Sequence, residues 1–423
     1  MTKLQRLSSE TFSSLSVRNF RLFFAGQTVS QIGNWLTLVA QALLVLKITD
    51  SGFAVGLLTA FQFVPVLLLG AWAGLVADRS DKRKLLAGVQ VFAMAQSFVL
   101  GALAFMDRPP LWAIYLVAMA GGVATAFDNP ARRSFVVEMV DAERVNNAVG
   151  LNSALMTGSR VIGPALAGIL IATVGYGWAF VVDGLTYIAV IVGYLRMNPA
   201  EIHRGPVTPR GKGQVRAGFR YAMGKPELRI PLVMMAIIGT LAFNFTVVMP
   251  LLIKETFGGS DSTFTWFFSV ISVGSMVGAL MSARRSEIVV RDVVVAAAAF
   301  GVLMLALAVT PNLPLAFIVG VLFGVASIGF MTASTSIVQV EADPSMRGRV
   351  LALQAMVFLG STPIGGPIIG QVCDWWGPRA GVAIGGVATL AAAGYGFVAS
   401  QRGVGDYRAN GIDTPIPPRV AAP

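Results

Sequence analysis

Cysteine and histidine are almost missing: 423 residues hold one of each, Cys373 and His203. One cysteine excludes an intrachain disulfide, and the two together are too few for a metal centre, so no metal site is expected. Charged side chains are also scarce, at 13% of the chain, and they are missing in blocks. Residues 51–76 contain none, and neither do residues 85–106. No Walker A sequence is present, which excludes ATP hydrolysis by that route; Gly211-Lys212-Gly213 lacks the upstream glycine and the following hydroxyl of a phosphate loop. No cleavable signal peptide is expected, because residues 1–18 are polar and the first apolar run is too long and lacks a cleavage site.

What is abundant is apolar length. The chain is 55% hydrophobic with a mean hydropathy of +0.71. No soluble core needs so many uncharged runs of more than 20 residues, whereas a bundle of membrane spans does. Twelve spans are predicted, near 20–46, 51–76, 85–106, 111–128, 145–172, 178–197, 229–253, 263–283, 291–310, 314–338, 348–373 and 379–400. The expected architecture is an all-α membrane protein of two pseudo-symmetric six-helix bundles, 19–197 and 229–400. These join a polar lead (1–18), a central loop (198–228) and a tail without periodicity (401–423) that reads as disordered.

The net charge of +11 raises the possibility of nucleic acid, but its placement excludes that reading. With both termini cytoplasmic, 27 of the 32 Lys and Arg fall on the cytoplasmic side. Lys47, Arg108, Lys254 and Arg379 fall outside, and Arg160 lies within a span. This is orientation and lipid-headgroup contact. No basic patch interleaved with exposed aromatics is found.

Polar residues inside the spans mark candidate function. Gln27, Gln31, Asn34, Thr37 and Gln41 recur in steps of 4, 3, 3 and 4, which places them on one face of span 1. Such a stripe faces a cavity or a packed neighbour, not lipid. Arg160 lies about fifteen residues into span 5, near mid-membrane at a rise of roughly 1.5 Å per residue. It needs an acid or water, and Asp183 and Asp128 are the nearby acids. The pair is either linked to substrate or protons, or it locks spans 4, 5 and 6. Asn244, Gln354 and a bend at Pro250 are further candidates for the cavity wall. In the central loop, Val215, Phe219 and Met223 suggest a short amphipathic helix on the lipid surface. An enzyme is disfavoured, since His203 sits in a loop away from the spans and the two embedded acids lack a recognisable paired setting.

The second half repeats the first. Gly163-Pro164-x-x-Ala167-Gly168 corresponds to Gly366-Pro367-x-x-Gly370-Gln371 at an offset of 203, which also pairs Glu138 with Glu341 and Arg144 with Arg347. Ser282-Ala283-Arg284-Arg285 keeps the basic character of the loop at 74–86. Two related six-span halves describe a secondary transporter.

The loop Gly74-x-x-Ala77-Asp78-Arg79-x-x-Lys82-Arg83 resembles the loop between helices 2 and 3 of the major facilitator superfamily, with Asp81 where that family usually has Gly. The block from Ala126 through Gly168 is similar to the branch with the enterobactin exporter and macrolide-efflux proteins. The resemblance covers roughly residues 16–400. It implies that Gly74 lets helices pack closely and that Asp78, with Arg79 and Arg83, gates one face by bonding across to the other half. It also implies an export-associated packing motif at Gly163, Pro164 and Gly168, with Gly366, Pro367 and Gly370 as its counterpart. Ala118, before Gly122, stands where many relatives carry the arginine of a span-4 proton relay. The function implied is secondary active export of a small amphipathic molecule, a drug or siderophore, by alternating access. The resemblance makes a proton gradient the energy source, with no cofactor. It also implies a monomer in the bacterial cytoplasmic membrane, with membrane lipid and a small-molecule substrate as partners. The alternatives are a lipid-moving relative of the same fold and a non-transporting membrane sensor.

Overall fold

The computed structural model describes residues 11–203, 214–283 and 288–409, and among these there are helices but no strand. The first bundle comprises α1 (Arg18–Thr49), α2 (Gly52–Arg79), α3 (Lys82–Ala104), α4 (Leu111–Glu138), α5 (Val145–Val174) and α6 (Tyr176–Arg196). A connecting helix, α7 (Gln214–Gly224), leads to a broken span made of α8 (Pro226–Leu241), α9 (Phe245–Leu251) and a π-helical turn at Leu252–Thr256. The remainder is α10 (Asp261–Ala283), α11 (Val290–Ala308), α12 (Leu313–Glu341), α13 (Pro344–Trp376) and α14 (Pro378–Ala409). Twelve of these segments are long and apolar enough to cross a membrane, counting Pro226–Thr256 as one. Local chemistry starts several of them: Ser51, Asp81 and Asn312 each accept the backbone N–H three residues on.

The packing partners repeat. In the first bundle α1 packs on α5 and α6, α2 on α4, and α3 on α4 and α6. In the second, α8 packs on α13 and α14, α10 on α12, and α11 on α12 and α14. The two bundles meet along α2–α13 and, by the same symmetry, α10–α5. Lipid supplies no hydrophobic drive between helices, so close approach rests on small residues. Gly52 and Gly56 lie against Gly370 and Gly366, and a Cβ at Gly56 would run into the Gly366 carbonyl. Gly168 does the same for α5 against Thr265 of α10. Pro164 and Pro367 sit inside α5 and α13, beside these contacts.

Several sequence expectations are corrected. Gly74 does not serve close packing, since a Cβ there would meet only Pro130, at an ordinary 3.9 Å. Span 4 continues past Asp128 and through Pro130 to Glu138. Span 7 breaks at 242–244, not at Pro250, which lies buried within α9. The break is lined by aromatic rings: Phe243 packs on Phe245, Phe300 and Phe358 at centroid distances of 5.3 to 5.4 Å. The last helix runs to Ala409, into the stretch expected to be structureless. The expected tight turn near Asp81 is not needed, because the residue is extended (φ −67°) and caps α3.

The connecting helix α7 docks on the second bundle and does not simply lie on lipid. Ala222 is buried, and Tyr221 donates to Asp343 at 2.7 Å. That bond holds the Asp343 carboxyl below its ordinary range. Phe219 stays exposed. The side chain of Val215, the segment Gly211-Lys212-Gly213, and Arg284 and Arg285 fall outside the described residues.

Gly56→Ala should lower the melting temperature in detergent by several degrees, since over-packing typically costs about 1–3 kcal/mol. Gly74→Ala should leave it unchanged. Equal effects of the two would show that the α2–α13 approach is not what Gly56 serves.

Candidate functional site

A cavity of about 330 Å³ is carved into the first bundle. Its floor and walls come from the polar face of α1 and from α2 to α6. Gln31, Asn34, Thr37 and Gln41 line it, together with Gln62, Gln90, Asp128, Arg132, Arg160 and Tyr187. Trp35 and Phe63 supply aromatic surface.

A polar side chain buried from water needs a partner, and most of these have one. Tyr187 donates to Asn34 Oδ1 at 2.7 Å, and Gln62 Nε2 to Gln41 Oε1 at 2.8 Å. Gln27 does not reach the cavity: it is buried, donates to Tyr194 at 3.1 Å and accepts from Gln31 at 3.1 Å. The α1 stripe is thus part cavity wall and part interhelical glue.

The acids are placed differently from expectation. Asp128 pairs with Arg132 Nε, one turn further on, at 3.0 Å and accepts from Gln90 Nε2 at 2.9 Å. Asp183 is fully buried behind the wall, where its Oδ2 accepts from Thr37 Oγ1 at 2.6 Å and Ser97 Oγ at 2.7 Å. Its Oδ1 lies against Gly33, where a Cβ would collide with it, and has no hydrogen-bond partner among the described residues. Neither acid pairs with Arg160. That guanidinium instead stands over the Trp35 ring, 5.7 Å from its centroid, and is exposed to the cavity. It makes no ion pair among the described residues. The expected lock between spans 4, 5 and 6 is absent among the described residues, because Asp128 turns to Arg132 and Gln90 and Asp183 to Thr37 and Ser97. Gly163, one turn after Arg160, lets α5 close on Trp35, since a Cβ there would meet the Trp35 Cβ.

Asn244 and Gln354 do not line the cavity. Asn244 is buried at the α8–α9 break and donates to the Thr240 carbonyl at 2.8 Å. Gln354 is buried inside the second bundle and donates to Ser334 at 3.1 Å.

The two ends differ. At the end carrying the basic loops, Asp78 is exposed and, among the described residues, bonds to nothing across the bundles, contrary to expectation. Arg79 is likewise exposed, while Arg83 reaches the carbonyls of Tyr194 and Met197 at 3.4 Å within its own bundle. Lys82 pairs with Glu138 at 2.5 Å, tying α3 to the end of α4. These residues surround a second hollow of about 190 Å³. At the far end the bundles are bonded together. Asp374, near the end of α13, accepts from Gly52 N at 2.5 Å, Ser51 Oγ at 2.7 Å and Phe53 N at 3.1 Å. A carboxylate at a helix N-terminus satisfies orphan N–H groups and the helix dipole together. The symmetric seam has Tyr176 donating to Asp261 and Ser262 Oγ donating to the Gly168 carbonyl at 3.4 Å.

Trp35, Gln62, Gln90, Arg132, Tyr187 and Asp374 were not selected from sequence. Gln62 was visible as the lone amide of the first charge-free run, and Gln90 as one of two, with Gln96, in the second. Asp374 was visible as a lone acid at a span end.

A profile of the transmembrane secretion effector family matches residues 9–407. The staphyloferrin A transporter of Staphylococcus aureus is 23% identical over 377 residues, 88% of this chain and 93% of that protein. Macrolide efflux protein A of Streptococcus pyogenes is 22% identical, covering 82% and 87%. The enterobactin exporter of Escherichia coli is 24% identical over 389 residues, covering 90% and 89%. Among solved structures, a bacterial homologue of the human lysosomal transporter Spinster, inward-facing and unoccupied, superposes with a TM-score of 0.72 at 17% identity. That match covers 92% of this chain and 97% of the other, and it supports the fold.

Asp374→Asn should loosen the far end. In a Cys373→Ser background, a cysteine at Ser262 should react with a membrane-impermeant maleimide roughly tenfold faster once the charged cap is gone. An unchanged rate would show that Asp374 does not hold the bundles together.

Proposed function

We propose, from the premise that this chain belongs to the transmembrane secretion effector family of the major facilitator superfamily, that it is a secondary active exporter of a small amphipathic molecule in the bacterial cytoplasmic membrane. The observation that carries this reading is the cavity, with polar and aromatic walls sunk into a membrane-spanning bundle whose partner bundle is bonded to it at one end. A wall of this kind offers apolar surface and a few fixed polar groups, which suits a small amphipathic ligand. Glycine-lined seams that let two bundles rock against each other support alternating access. The macrolide efflux protein and the enterobactin exporter support export as the direction.

Transport of this kind is not an enzymatic reaction and takes no cofactor; an ion gradient drives it, and protons are the proposed ion. The protein works as a monomer in contact with lipid and its substrate, and does not act on nucleic acid. Asp183 is the proposed proton carrier. Its Oδ2 accepts from two hydroxyls, one of them on the cavity-lining Thr37, so a change in its protonation reaches the cavity through that side chain. Asp128, already paired with Arg132, is the lesser candidate.

Arg160→Gln should cut substrate uptake into everted vesicles, where export runs inward, by about tenfold or more while the protein remains in the membrane. Unchanged transport would make Arg160 structural. Asp183→Asn keeps the shape and the two hydroxyl bonds but cannot carry a proton. It should slow gradient-driven export by about tenfold or more and spare substrate exchange, which needs no net proton movement. Normal proton flux in that variant would remove Asp183 as the carrier.

A further inference from the structure

The charges on the cavity wall do not balance. Three charged side chains line it: Asp128, Arg132 and Arg160. Asp128 is committed to Arg132 and Gln90. Asp183 is shielded behind Thr37 and does not line the cavity. One positive charge, on Arg160, is therefore left without a counter-charge at mid-membrane depth. An isolated cation in such a setting is costly, and structures that keep one pair it or hydrate it. Among the described residues it has only the Trp35 ring, 5.7 Å from the guanidinium carbon, and its fork of N–H groups donates to none of them. That fork is the geometry that recognises a carboxylate, sulfonate or phosphate through two parallel hydrogen bonds. A second donor points the same way: Gln41 Nε2, on the wall, is buried and without a partner among the described residues. Trp35, Phe63 and Tyr187 supply flat apolar surface beside these donors.

We propose that the molecule carried is an anionic amphiphile, with its acidic group held by Arg160 and its planar apolar part against Trp35. This rests on the export reading for the direction of movement, but the preference for an anion follows from the wall itself. A cation of the same shape would face an uncompensated like charge, so the site discriminates by repulsion as well as by attraction.

The test uses two probes with one fluorophore and opposite charge, dansylglycine and dansylcadaverine. Binding to the purified full-length protein in a neutral detergent is followed by fluorescence anisotropy. Dansylglycine should bind at least about tenfold more tightly, and Arg160→Gln should erase that margin. Arg160→Glu should reverse the preference, a gain that a misfolded variant cannot show. Equal affinity of the two probes, binding of neither, or an Arg160→Gln variant that keeps the preference would overturn the proposal. Displacement of dansylglycine by 2-naphthoate but not by dioctanoyl phosphatidylglycerol marks a soluble anion as the ligand. The opposite order marks the headgroup of an anionic lipid. Both displacement patterns uphold the anion assignment. If dansylglycine binds as expected but is not moved out of loaded cells, the export reading fails and the anion site stands. If dansylcadaverine is exported and Arg160→Gln leaves that export unchanged, the anion site fails and the export reading stands.

Discussion

A polar group sunk in hydrocarbon finds its partner in the protein or stays unpaid for its lost hydration, and this constraint organises the molecule. It turns the amides of α1 away from lipid and gives Tyr187 to Asn34 and Gln62 to Gln41. It seats Asp183 between two hydroxyls and Asp128 beside Arg132. Once those pairings are made, what remains unmatched stands out. Among the described residues Arg160 is such a remainder, and it sits on the wall of the first-bundle cavity.

The same solvent explains the seams. Helices that gain nothing from burying leucine against leucine gain from contact at short range, and glycine permits it. Gly52, Gly56, Gly366 and Gly370 bring α2 and α13 together backbone to backbone, and Gly168 brings α5 to Thr265. The seams are related by the internal repeat, but their polar contacts are not copies. One is closed by a carboxylate on a helix N-terminus, the other by a tyrosine hydroxyl on an aspartate. Sequence duplication preserved the geometry of approach while the polar chemistry diverged.

The helices were legible because apolar length and charge-free runs are one-dimensional signals, and so was the polar stripe of α1, whose period needs no neighbour. Pairing was not legible. Arg160 and Asp183 were expected to meet because both are embedded and close in sequence. Yet Asp183 is turned towards α1 and α3, where Thr37 and Ser97 lie far away along the chain. Asn244 was taken for wall because it is polar within a span; its role is to cap a helix break that aromatic rings from three other helices surround. Asp78 carried a gating role only through resemblance, and among the described residues the bonded end is the other one. Each of these misses concerns which neighbour a side chain faces, a quantity fixed by packing in three dimensions.

Trp35 has a second neighbour besides Arg160. Its ring lies 6.0 Å from that of Phe268, on α10 of the other bundle. One indole therefore touches both the cationic wall and the opposing half of the protein. A guest that displaced that ring would disturb both contacts at once, so the second half of the protein would feel an occupied chamber through one side chain.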